Sequence, residues 1–316
     1  MPARPALKTL LARAESGILL LGITPPRRSN PPERIREIAD LTVKRLAGLD
    51  LDGLVLYDID DESDRNPGER PFPYLPTLDP AEFHAGHLDD WAGPVIIYRC
   101  VGKYAEEELA GWLRGIDTGQ VLSVFVGASS GGKPVRTPLP RAQQLRDELR
   151  ADLPLGAVAI TERHERSGDE HRRMLRKQES GCTFFITQVV YNAPATRRLL
   201  IDYRDECAAR GVTPRTVIFT LSVCGSLKTL EFLHWLGVDV PPSLQEHLRH
   251  SPEPLAESLR QCRQIARELA SAGRELGLPV GFNVESVSSR RAEIEASVAL
   301  AAYLRDLLDS GAAVHS

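Results

Sequence analysis

The stretch CTFFITQ at residues 182–188 is a short β-branched and aromatic run that ends in a glutamine, and an amphipathic helical pattern follows it at residues 193–210. The same pairing of a short apolar run with a longer helical pattern recurs along the whole chain, which is typical of repeated βα units around a parallel sheet. The eight runs are GILLLGI (17–23), DGLVLYD (52–58), PVIIYRC (94–100), QVLSVFV (120–126), GAVAITE (156–162), CTFFITQ (182–188), TVIFTLS (216–222) and PVGFNVE (279–285). The helical patterns lie at 32–48, 79–90, 104–116, 140–150, 168–180, 193–210, 226–236 and 289–309.

Eight strands that are each followed by a helix predict an α/β fold, a single (βα)8 TIM barrel, because an open sheet of that size is less economical. One extra long helix, at residues 253–276, precedes the eighth strand. No shift of composition and no low-complexity linker divides the chain, so we expect one domain over residues 1–316.

The composition excludes several classes of protein. With 42% hydrophobic and 26% charged residues, the chain has no apolar stretch near the ~20 residues that span a bilayer. The first residues lack the apolar core and cleavage site of a secretory signal, so we predict a cytoplasmic protein without a membrane partner. A net charge of −4 gives no reason to expect nucleic acid as a partner.

The five cysteines are an odd number, are widely spaced, and show no Cys/His ligand spacing. This pattern argues against a disulfide framework and against structural zinc, so we expect free thiols and no metal.

In a barrel of this class, the reacting groups come from the carboxyl ends of the strands and from the loops that follow them. Gln188 closes an apolar strand, and a buried glutamine amide must find partners. It therefore binds either a ligand or a neighbouring loop. The same alternatives apply to Asn283 and Glu285. Other candidates from the strand exits are Arg27, Tyr57, Asp58, Asp60, Gly127, Glu162 and His164.

The segment LRKQESGCTFFITQVVYN (175–192) resembles the sixth-strand signature of the methylenetetrahydrofolate reductases, in which the glutamine binds the pterin of the folate. Further similar segments follow the order of that family over residues 17–300. They are GITPPR (22–27), VLYDIDDESDR (55–65), ITERHERSG (160–168) and VDVPPSLQEHL (238–248).

The resemblance implies NAD(P)H-dependent reduction of 5,10-methylenetetrahydrofolate to 5-methyltetrahydrofolate, with the reduced folate as a small-molecule substrate. It implies that Gln188, Tyr57, Asn283 and Lys177 bind the substrate. It also implies that a second set of residues binds NADH or NADPH, and FAD in flavin-dependent members. That set is Arg27, Gly127, Glu162 and His164.

Two departures from the family bear on the mechanism. Gly22 stands where the family has a glutamate as general acid, and Val126-Gly127-Ala128 replaces an Arg-Gly-Asp that faces the flavin. The losses on the flavin side weaken the case for FAD and favour direct hydride transfer from the nicotinamide.

A carboxylate from a neighbouring strand could replace the missing acid. We expect Asp58 or Asp60 in this role, and Glu285 next. The alternative is a divergent folate-binding relative that uses the one-carbon unit for another reaction or has lost reductase activity. The choice between NADH and NADPH, and the formation of a homo-oligomer, stay open.

Overall fold

The structure is a computed structural model that describes residues 4–62, 66, 68–127 and 134–312. Its strands form a closed parallel barrel in the order β1-β2-β3-β4-β5-β6-β7-β8, which confirms the predicted (βα)8 class. The strands are β1 (Leu19–Ile23), β2 (Gly53–Leu56), β3 (Val95–Cys100), β4 (Val121–Val126), β5 (Leu155–Ala159), β6 (Cys182–Val189), β7 (Thr216–Ser222) and β8 (Val280–Glu285).

The helices are α1 (Leu7–Ala12), α2 (Pro32–Leu46), α3 (Pro80–His87), α4 (Glu106–Gly115), α5 (Leu139–Arg150), α6 (Thr161–Ser167), α7 (Glu170–Glu179), α8 (Ala193–Arg210), α9 (Leu227–Trp235), α10 (Pro242–His250), α11 (Pro254–Leu276) and α12 (Arg291–Ala312). A 3-10 turn at Val101–Lys103 follows β3. Helix α11 is the extra helix predicted before the last strand, and α10 is a second one that the sequence pattern did not reveal.

The predicted fifth strand is too long at its carboxyl end. It stops at Ala159, and Thr161 already begins α6. Gly168 ends α6 in the left-handed region (φ 66°), where glycine has no side-chain penalty. The single helix expected at 168–180 is therefore α7, and a short helix precedes it.

The chain divides into two compact units. The first comprises residues 1–21, 49–52 and 158–316. Within it, β6, β7 and β8 pair in parallel, and Phe282 N–H donates to Ile18 O of the segment leading into β1 (2.8 Å). Asp52 fastens the amino end of β1, because its carboxylate accepts the Leu19 N–H (2.7 Å) and pairs with Arg4 and Arg305.

The second unit comprises residues 22–48 and 53–157. Within it β2, β3 and β4 pair in parallel, and β4 continues onto the first residues of β5. Their inward and outward residues are almost all buried, as expected for parallel strands covered on both faces. The prediction of one domain over residues 1–316 stays a prediction.

All five cysteines are free thiols, and four of them are buried. No helix among the described residues is long and apolar enough to cross a membrane.

Candidate functional site

Four polar side chains meet in the first unit, beyond the carboxyl ends of β5 and β6. We call Glu162, Gln188, Asn192 and Asp239 the exit cluster. The Gln188 amide donates to Leu236 O (3.1 Å), and Asn192 Nδ2 donates to the Asp239 carboxylate (2.6 Å). Glu162 Oε1 accepts the Asp239 N–H (3.2 Å). Three strand-exit side chains therefore hold the segment 236–239 that follows α9.

Glu162 is the most unusual member of the exit cluster. Only 7% of it is exposed, and its second oxygen, Oε2, has no hydrogen-bond partner among the described residues. Burial raises the pKa of this carboxyl, and the nearby Asp239 raises it further. A buried oxygen without a partner is costly, so it is a natural place for a ligand N–H. The side chain stands on the first turn of α6, not on the strand end that the sequence predicted.

Gln188 is half-buried at the end of β6, as predicted. Its Nε2 satisfies the neighbouring loop, which was one of the two predicted alternatives. Its Oε1 accepts no hydrogen bond among the described contacts. The side chain is thus held in place by one end of its amide, and the other end can meet a ligand.

Asn283 belongs to a buried polar layer that crosses β6, β7 and β8. Its Nδ2 donates to Thr220 Oγ1 (3.2 Å), and the Thr220 N–H donates to Thr187 Oγ1 (2.9 Å). Asn283 is fully buried and directly opposite Thr220 in the strand register. Glu285 lies two residues further along β8, is half-buried and faces Ser222 in register.

Gly22 lies in the second unit, where the reductase resemblance implies a glutamate. A Cβ at this position would stand 2.7 Å from Cε2 of Tyr57 and 3.0 Å from its hydroxyl oxygen. The Tyr57 ring also packs edge-on against Tyr98, with ring centroids 4.9 Å apart. The space of the missing acid is therefore filled by a tyrosine ring. The expectation that a carboxylate from a neighbouring strand replaces the missing acid stays a prediction.

Asp58, the preferred replacement acid, is locked in a buried network of the second unit. Its carboxylate accepts the Cys100 N–H (2.8 Å), the Lys103 ammonium (2.5 Å) and the Tyr104 hydroxyl (2.9 Å), and 3% of the side chain is exposed. A backbone N–H, an ammonium group and a hydroxyl thus surround its two oxygens. The geometry favours an anchoring role for Asp58.

The same network continues to Asp79, the N-cap of α3. One oxygen of Asp79 accepts the Ala81 N–H (2.8 Å), and the other accepts Arg99 (2.5 Å) and Tyr104 (3.0 Å). Asp60 is half-buried, and one of its oxygens accepts the Asp61 N–H (2.8 Å). Of the two strand-two carboxylates, Asp60 is the one that stays a candidate acid.

The remaining predicted cofactor residues of the second unit, Arg27 and Gly127, follow the ends of β1 and β4. Arg27 is exposed in the loop after β1, and its backbone forms an isolated antiparallel bridge with Thr77. Gly127 follows β4 directly, and a Cβ there would make only ordinary contact with Leu139 (3.7 Å). Ala128, on which the flavin argument depends in part, lies outside the described residues.

Lys177 and His164 have different surroundings from those predicted. The Lys177 ammonium donates to Val158 O (2.6 Å) and lies 3.4 Å from the fully buried Glu170, which also pairs with Arg163. Lys177 thus joins α7 to β5, and its expected contact with a folate stays a prediction.

His164 is buried on α6 and faces Asp202 of α8 and His171 of α7. It therefore packs among helices α6, α7 and α8, and its expected contact with a flavin stays a prediction.

Sequence reasoning missed Asn192, Asp239 and Glu293. The first two become partners only because the loop after α9 folds back on β6. Glu293 is 1% exposed, and both of its oxygens accept the Thr229 hydroxyl (3.2 Å). It takes the space that a side chain at Gly225 would need. Asn-Ala-Pro at 192–194 was a usable signal for the N-cap of α8.

The closed parallel barrel, with polar groups at the carboxyl ends of its strands, defines the class as a (βα)8 barrel protein. No family model and no curated protein matches the chain. It is 41% identical to an uncharacterized protein from Clostridium thermocellum that binds two copies of 5-methyl-5,6,7,8-tetrahydrofolic acid. That alignment covers 95% of this chain and 99% of the other, with a TM-score of 0.85, so the chain belongs to the family of that protein.

A second solved structure, apo-MsnO8, is similar in fold alone. It is 14% identical over 91% of this chain and 98% of the other, with a TM-score of 0.53. Neither comparison identifies the chain as a methylenetetrahydrofolate reductase, so that membership stays a hypothesis.

Proposed function

We propose that this chain binds a reduced folate at the exit cluster of its first unit, with 5-methyltetrahydrofolate as the form to test first. The observation that carries the proposal is the 41% identity, over nearly the full length of both chains, to a protein that binds this folate. Identity of that extent favours a shared ligand class, although a fold by itself does not define a function.

The chemistry of the exit cluster suits a reduced pterin. The pterin ring presents N–H donors along one edge and carries a carbonyl oxygen. Glu162 Oε2 is a buried acceptor without a partner, and Gln188 Oε1 is a second acceptor on a side chain that is already held in place. Two fixed acceptors that face a row of donors give orientation as well as affinity.

Direct binding of 5-methyltetrahydrofolate to the full chain tests the proposal, and calorimetry also reports whether one or two molecules bind. Glu162→Gln keeps the volume and removes a charge-assisted acceptor, so we expect the affinity to fall about 10–100-fold. Gln188→Leu should weaken binding about tenfold, the equivalent of ~1.4 kcal/mol.

Gln245→Leu is the matched control. This substitution also removes a side-chain hydrogen bond to the loop after α9, because Gln245 Nε2 donates to Val240 O (2.7 Å). Gln245 itself lies on α10 and is not a member of the exit cluster. We expect its affinity to stay at the wild-type value. The proposal fails if the wild-type chain binds no reduced folate, or if the three variants weaken binding equally.

The reaction is a second, finer part of the proposal. In the predicted reduction, a hydride from NADH or NADPH reaches the methylene carbon of 5,10-methylenetetrahydrofolate, the bond from that carbon to N10 breaks, and N10 takes a proton. Glu285 of the first unit is a half-buried carboxylate that we retain as the proton donor.

Oxidation of NADH and NADPH in the presence of 5,10-methylenetetrahydrofolate tests the reaction. Adding FAD, and recording the visible spectrum of the protein, separates the flavin-dependent route from direct hydride transfer. Folate binding without nicotinamide oxidation would favour the alternative, a folate-binding relative that lacks reductase activity.

A further inference from the structure

Two buried histidines and an aspartate meet on the outer helices of the first unit. His164 of α6 and His171 of α7 are each 7% exposed, and their rings pack edge-on with centroids 5.3 Å apart. Asp202 of α8 places its Oδ2 3.0 Å from His164 Nε2. One ligand atom from each of the three residues lies within 4.8 Å of the other two, and no other His, Cys, Asp or Glu group among residues 4–62, 66, 68–127 and 134–312 has this arrangement.

Both histidines have a ring nitrogen without a partner. The Nδ1 atoms of His164 and His171 are buried and form no hydrogen bond within the described part of the chain. Two unpaired polar atoms in one buried cluster are costly, since such groups are normally satisfied. A histidine with a purely structural role in a helical layer normally has one ring nitrogen hydrogen-bonded to a carbonyl or hydroxyl oxygen. Both Nδ1 atoms thus lack a partner, while Nε2 of His164, 3.0 Å from Asp202 Oδ2, is the ring atom placed to share an ion with that carboxylate.

Carboxylates flank the pair: Asp202 is half exposed, and Glu206, one turn further along α8, has Oε2 3.8 Å from His171 Nε2. Arg210 pairs with Glu206 (2.8 Å), so Asp202 is the carboxylate more open to an ion.

The dimensions suit a small transition-metal ion. Ligands that bind Zn²⁺ tetrahedrally at about 2.0–2.1 Å lie about 3.4 Å from one another. His164 Nε2 and Asp202 Oδ2 are 3.0 Å apart, which is near that value. The ligand atoms of all three residues lie within 4.8 Å of one another, so adjustment of the side chains brings them to the spacing that zinc requires. A cavity of about 250 Å³ adjoins His164 and Asp202 and has room for a water as fourth ligand.

We propose that His164, His171 and Asp202 form a divalent transition-metal site whose preferred occupant is Zn²⁺. Two imidazoles and one carboxylate are a ligand set for zinc, whereas calcium and magnesium prefer oxygen ligands alone. The site joins α6, α7 and α8 in the outer layer, so the ion stabilises the helices. It is separate from the exit cluster, although α6 carries both His164 and Glu162.

Titration of the metal-free full chain with Zn²⁺, against a chelating indicator, tests the site. We expect one equivalent of Zn²⁺ to bind, and Co²⁺ in its place to give the visible bands of a low-coordinate ion. Asp202→Asn and His171→Gln each remove a direct ligand. Loss of a residue that only hydrogen-bonds to a metal ligand lowers metal affinity about 10–100-fold, so each of these substitutions should lower the Zn²⁺ affinity at least about tenfold.

His247→Gln with His250→Gln is the matched control, because these two histidines are exposed on α10 and should leave the affinity unchanged. Asp202 is exposed enough for Asp202→Asn to fold, and its thermal midpoint should no longer rise with Zn²⁺, while that of the wild type does. Absence of binding at micromolar Zn²⁺, or equal affinities of Asp202→Asn and the wild type, would overturn the proposal.

Discussion

Gly22→Ala tests whether the ring of Tyr57 fills the space beside the first strand. The new Cβ would stand 2.7 Å from Cε2 and 3.2 Å from Cζ of that ring. Carbon atoms pack best about 3.5–4.0 Å apart, so the closest approach is too short by about 1 Å. Overpacking of this kind costs about 1–3 kcal/mol, and alanine recovers about 0.4–1 kcal/mol by restricting the unfolded chain. We expect a net destabilisation of about 1–2 kcal/mol.

The assay is urea unfolding followed by circular dichroism, on the wild type, Gly22→Ala, Tyr57→Ala and the double variant. Because Tyr57→Ala removes the ring, the methyl group should cost less in that background, with a coupling energy of about 1 kcal/mol. Gly48→Ala is the control for the substitution itself, since a Cβ at Gly48 meets nothing within 4 Å. It should be more stable than the wild type by up to about 1 kcal/mol, which is the effect of alanine on the unfolded chain alone.

The reasoning is refuted if Gly22→Ala is as stable as Gly48→Ala, or if its cost is the same with and without the Tyr57 ring. Either result would mean that the space at Gly22 is open. A carboxylate from another residue could then occupy it, as the sequence alone led us to expect.

Two further predictions concern buried ion pairs. Burial raises the pKa of Asp79, but Arg99 and the hydrogen bonds it accepts outweigh burial and lower the pKa overall. Its stabilising contribution is therefore complete above the unfolded pKa of about 3.9 and lost as the pH falls through the lower folded value. The stability gap between wild type and Asp79→Asn should stay constant at neutral pH and narrow as the pH falls below about 4 in urea titrations. A gap that is also constant below that pH would contradict this. Glu170→Gln should lower the free energy of unfolding by about 2 kcal/mol. This is less than for a fully buried ion pair, because Lys177 is partly exposed. An unchanged urea midpoint would exclude a stabilising ion pair between Glu170 and Lys177.

Much of the candidate site was accessible from the sequence because it depends on position along the chain. Gln188 follows an apolar run of strand length, so its place at a carboxyl end could be predicted, together with the choice between a ligand and a loop. The role of Glu162 was harder to predict. The run GAVAITE reads as one strand, and the early start of α6 at Thr161 became evident only with the structure.

The partners of these residues could not be predicted. Asp58 meets Lys103 and Tyr104, which lie 45 and 46 residues further along the chain. His164 and His171 are close in sequence, but a helix end separates them, and Asp202 belongs to another helix. Such contacts depend on packing between elements, for which sequence spacing holds no information.

The sequence by itself determined the alternation of eight strands and their helices, and with it the barrel and the ends of the strands that carry polar groups. Hydrophobic periodicity and turn residues are local properties, so they can be recognised without knowledge of the fold. Only the tertiary structure decided which polar groups are already hydrogen-bonded and which lack a hydrogen-bond partner. It assigned Asp58 to an anchoring network, placed the Tyr57 ring at Gly22, and left Glu162 and the two histidines with unsatisfied atoms. The physical reason is that hydrogen bonding inside a protein is a property of three-dimensional neighbours, and burial decides whether a missing partner matters.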